Sequence, residues 1–99
     1  MREFMVEMDL PSVLTHTFMT LIPQQRQWVS DMFSQQKLVS YALAENRRKI
    51  WASFSIENEQ ALREELKEMP LAQFLHFRFY SLEFNEHIAY NQLPFISLN

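Results

Sequence analysis

His76 and Arg78 stand two residues apart in "LHFRFYS", a run that alternates aromatic with polar side chains. In an extended strand that spacing puts both on one face, where a guanidinium could anchor a carboxylate while the imidazole moves a proton. An isomerase that shifts a double bond needs such a base beside an anion anchor. The competing reading is a pair that simply solvates a sheet face or a subunit contact. Three further features have chemistry to offer. Arg26 lies just after Pro23, near the start of a helix, and could reach a bound carboxylate bidentately; otherwise it is a solvated helix arginine. Tyr41 offers an apolar ring with a hydrogen-bonding tip, or plain packing, and its neighbour Ser40 must point to the opposite side. Arg47, Arg48 and Lys49 form the one basic cluster, a solvated hairpin tip or an anion-gathering mouth. His16, His76 and His87 are too scattered for a metal signature, so no metal is expected.

Composition narrows the chemistry further. The 99 residues contain no glycine, which removes most of the case for phosphate-cradling loops, dinucleotide fingerprints and nucleophile elbows. With no cysteine there is no disulfide framework, thiol nucleophile or thiolate site, which suits a cytoplasmic setting. Nine Lys and Arg against twelve Asp and Glu, a formal charge of -3 without long blocks of one sign, leave no footprint for nucleic acid. No apolar run approaches the roughly 18 residues of a membrane span, and the opening Met1-Arg2-Glu3 is no signal peptide. An apolar fraction of 47% is enough for one packed domain.

The elements that must position these residues follow from periodicity. "REFMVEMD", 2–9, alternates Phe4, Val6 and Met8 against Glu3, Glu7 and Asp9, a half-buried strand that stops at Leu10-Pro11-Ser12. From Thr15 to Gln36 the apolar set Phe18, Leu21, Ile22, Trp28, Val29, Met32 and Phe33 recurs at helical spacing. Pro23 suits a first turn, which favours a short helix near 13–21 and a main helix from about Pro23 to Gln35; one kinked helix is the alternative. "KLVSYALA" and "KIWASFSI" form a hairpin across "ENRR", with Asn46 placed to take the left-handed conformation. Asn58 caps a brief amphipathic helix carrying Ala61, Leu62, Leu66 and Met69; Pro70 ends it, and the chain runs directly into a last strand.

The order strand, helix, strand, strand, helix, strand is the split βαβ pattern of ferredoxin-like α+β domains: a four-stranded antiparallel sheet, both helices on one face. Large side chains on both sides of the later strands (Leu38 with Tyr41, Ile50 with Trp51, Phe77 with Tyr80) would leave an apolar patch on the other face. That predicts a homodimer built sheet to sheet. The domain spans 1–84, and "NEHIAYNQLPFISLN", 85–99, is expected as an extended arm against its own or a neighbouring subunit.

Over roughly residues 3–84 the chain resembles the muconolactone isomerase-like branch of the dimeric α+β barrel superfamily. The resemblance rests on "LP" at 10–11, the length of the segment from there to the second strand, and "LKEMPLAQFL" leading into the last strand. It implies a pocket between sheet and helices or at the dimer edge, suited to a small organic acid or lactone, with no cofactor. Where the muconolactone enzymes carry a His- and Arg-bearing second strand followed by a glycine, this chain reads "LVSYALAENRRK", so their catalytic roles are not carried across.

Overall fold

The computed structural model describes residues 1–86, so all but the first two residues of the expected C-terminal arm lie outside the described region. The elements follow the expected order: β1 (Arg2–Asp9), α1 (His16–Thr20), α2 (Ile22–Ser34), β2 (Leu38–Leu43), β3 (Lys49–Ile56), α3 (Glu59–Lys67) and β4 (His76–Ser81). The four strands form one antiparallel sheet in the order β2-β3-β1-β4. Phe4, Val6 and Met8 of β1, with Ile50, Ala52, Phe54 and Ile56 of β3, face the helices and make the core with Phe18, Met32, Leu62 and Leu66. Alternation decides this because a strand with one buried face cannot slip by one residue without exposing its whole apolar set.

The chain breaks where Pro23 suggests. Thr15 caps α1 by accepting the Phe18 N–H, and Pro23 falls in the first turn of α2, where its missing donor leaves nothing unpaired. Asn58 caps α3 by accepting the Ala61 N–H at 2.8 Å.

Three local expectations are corrected. The helix-to-strand join is not direct: α3 ends at Lys67, and a turn and a single 3-10 turn at Ala72–Phe74 precede β4. Met69, Leu71 and Leu75 are buried, so this join is itself core, and successive turns satisfy its backbone while it crosses the sheet end. The left-handed hairpin residue is Arg47, with φ 61°, and not Asn46. Asn46 instead accepts the Arg48 N–H through Oδ1, an Asx turn that displaces the positive φ by one position. Finally, a register shift between Leu38 and Ser40 puts Leu38, opposite Phe54, and Tyr41, opposite Ala52, on the same helix-facing side. β2 therefore adds no large aromatic to the open face.

A second positive φ, 61° at Gln36, closes α2. The Gln36 N–H donates to Phe33 O and the Lys37 N–H to Met32 O, the paired bonds of a Schellman ending that elsewhere uses glycine. A side chain there costs about 1 kcal/mol, so Gln36→Gly is expected to raise the urea midpoint with no change in slope.

Candidate functional site

The sheet has two faces, and the residues singled out by sequence divide between them. His76, Arg78 and Tyr80 point away from the helices, as do Glu7 and Asp9 of β1 and Lys49 and Trp51 of β3. His76 and Arg78 thus share a face, and it is the open one. Tyr41 is on the other face, where its hydroxyl accepts a hydrogen bond from Gln25 Nε2 at 3.3 Å. Arg26 is exposed on α2. The fold does not gather these four into one site.

Arg78 is engaged where it stands. β1 is central, with β3 on one side and β4 on the other, so its outward carboxylates Glu7 and Asp9 meet a cation from each neighbour. Lys49 Nζ lies 2.9 Å from Glu7 Oε2 and 3.2 Å from Asp9 Oδ1. Arg78 grips Asp9 with both terminal nitrogens, at 2.9 and 3.1 Å, and also pairs with Glu7. Hydrogen bonds from Arg78 and then Lys49 hold the Glu7 carboxyl down to about 2 and push Asp9 below its ordinary value. The same contacts raise Lys49 and Arg78. Lys49 accordingly leaves the hairpin tip and belongs to this cluster. Trp51 and Tyr80 are 40% and 54% exposed beside it, so the open face is a mixed surface of two aromatics around balanced charge, more polar than the alternation implied.

On the helix side, a cleft of about 300 Å³ opens between α3 and β4. Its floor is apolar: Phe77 and Phe79 of β4, with Leu66 and Ala72. Arg63 and Lys67, one helical turn apart on α3, supply its charge. The Arg63 guanidinium stacks over the Phe79 ring, 4.7 Å from its centroid. An apolar slot with two cations on one wall can take a small molecule that has a flat apolar body and an anionic end. Arg63 and Lys67 were not among the expected site residues; as an i,i+4 pair of cations on a short helix they look like solvated surface, and only their position over β4 distinguishes them.

One buried polar residue was also missed. Gln25 is only 5% exposed, and its Oε1 accepts the N–H of buried Leu71 at 3.2 Å while Nε2 donates to Tyr41. It ties α2 to β2 and to the join before β4. Burial pushes the Tyr41 hydroxyl up, and the Gln25 bond partly offsets this. Among the described residues no group of three or more His, Cys, Asp or Glu side chains converges to hold a metal, and no helix is long and apolar enough to cross a membrane.

No protein-family model matches the sequence, and no curated protein matches it. The structure is similar to the crystal structure of muconolactone isomerase, with a TM-score of 0.69 over 88% of this chain and 97% of that one, at 15% identity. With its βαββαβ order and four-stranded antiparallel sheet, the chain has a muconolactone isomerase-like fold.

Proposed function

We propose that this chain is a cofactor-free, cytoplasmic protein that binds a small organic acid in the α3–β4 cleft and assembles as a homodimer through the open face of its sheet. The observation that carries the reading is the pairing of Arg63 and Lys67 with a phenyl floor in one slot. None of the six residues lining that slot is a histidine or carboxylic acid, so binding is better supported there than proton transfer. The two exposed aromatics around a charge-balanced cluster favour a second copy as the partner of the open face.

Benzoate is a suitable probe, and calorimetric titration is expected to show saturable binding with benzoate recovered unaltered. Replacing Arg63 and Lys67 together by alanine is expected to weaken binding by about tenfold or more, since a charge-assisted contact is lost. Equal affinity in the double variant, or conversion of the probe, would sink the binding reading.

A second reading is favoured by the exposed His76 beside Arg78 on the open face. There the protein is an isomerase or lyase acting on a small acid or lactone, with His76 as proton carrier and Arg78 as anchor; Arg26 and Tyr41, on the helix side of the sheet, stand outside that site. Turnover of a lactone that disappears in His76→Ala, in a variant that folds normally, would select this reading over the first.

A further inference from the structure

We propose that Glu59 makes the α3–β4 cleft selective for monoanions over dianions. The inference rests on the reading of that cleft as an acid-binding site and adds its charge specificity. Glu59 Oε2 accepts from both Nε and Nη2 of Arg63, at 3.1 and 2.9 Å, one helical turn back from the cleft wall. That contact helps to hold the guanidinium over Phe79 and offsets part of its charge, so that with Glu59 counted the group is formally neutral. Lys67 has no ion-pair partner among the described residues, and the nearby Glu65 is taken up by Lys37. The cleft therefore presents one net positive charge although two cations line it.

A flat acid with one carboxylate can place it toward Lys67 and lay its apolar body on Phe77 and Phe79. A second carboxylate at the far end would lie at Arg63 and face Glu59. Repulsion between like charges roughly one helical turn apart at a protein surface is worth about fivefold in affinity. Glu59 is thus a specificity-determining residue that never needs to touch a monoanionic ligand. Asn58, not Glu59, makes the capping hydrogen bond of α3, so neutralising Glu59 leaves that bond in place.

The test compares benzoate with terephthalate, the same ring carrying a second carboxylate, in the full chain and in Glu59→Gln and Glu59→Asp. The unaltered protein should prefer benzoate. Glu59→Gln should shift the affinity ratio toward terephthalate by about fivefold at low salt, and the shift should shrink as salt is added. Glu59→Asp, which keeps the charge, should leave the preference for benzoate. An unchanged ratio in Glu59→Gln, with benzoate still binding, would overturn the role of Glu59 and leave the cleft standing. Failure of benzoate to bind the unaltered protein would overturn both.

Discussion

Gln25→Leu is expected to destabilise the protein by about 2 kcal/mol, because it leaves the buried Leu71 N–H without an acceptor. Leucine is close to glutamine in size, so little of the loss would come from a cavity. What changes is a bond that holds the segment between α3 and β4 to α2, together with the bond to Tyr41. For a domain of this length the loss corresponds to a fall of roughly 10 °C in melting temperature. Tyr41→Phe supplies the control. Alone it should cost less, because Gln25 keeps its contact with Leu71; in the Gln25→Leu background it should cost almost nothing, since its partner is gone. Independent, additive losses in a denaturation series would show that Gln25 does not connect the two.

The acid side of the stability profile should be governed by the open face. Glu7 titrates near 2 in the folded protein against an ordinary value of 4.5, so the unfolded chain takes up its proton first as the pH falls. The stabilisation is complete above 4.5, erodes below it and is gone once the pH reaches about 2. Asp9, lowered from 3.8, adds to the loss in the lower part of that window. Urea midpoints measured across it should fall steeply for the unaltered protein and more shallowly for Glu7→Gln. Arg78→Met should raise the pH of acid unfolding, because it removes the largest cause of the Glu7 shift and leaves two carboxylates to share Lys49. Parallel profiles for all three proteins would count against the cluster as the source of the pH dependence.

How much of this was readable beforehand depended on whether the signal was local. Phe4, Val6 and Met8 alternate because one side of β1 is dry, and Pro23 and Asn58 announce helix starts through backbone groups that any helix must satisfy. The order of elements then restricts the topology, and the similarity to muconolactone isomerase agrees with it. Features set by two or more strands were out of reach. Alternation puts Arg78 beside His76, but that its guanidinium would be taken by Glu7 and Asp9 depends on the register of β4 on β1. Tyr41 changed sides relative to Leu38 because of one irregular position in β2, which no residue type in "KLVSYALA" marks. Gln25 lies in "PQQRQ" among residues that all look wet, and only the convergence of Tyr41 and Leu71 sets it apart from Gln24 and Gln27.

The irregular position in β2 also bears on how far the sheet can grow. Among the described residues β2 and β4 are the outer strands, and a strand edge left open is a template for adding another chain. The shift between Leu38 and Ser40 breaks the even spacing of donors and acceptors along β2. A strand added at that border would have to match an irregular ladder, so β2 is a poor template for growth of the sheet.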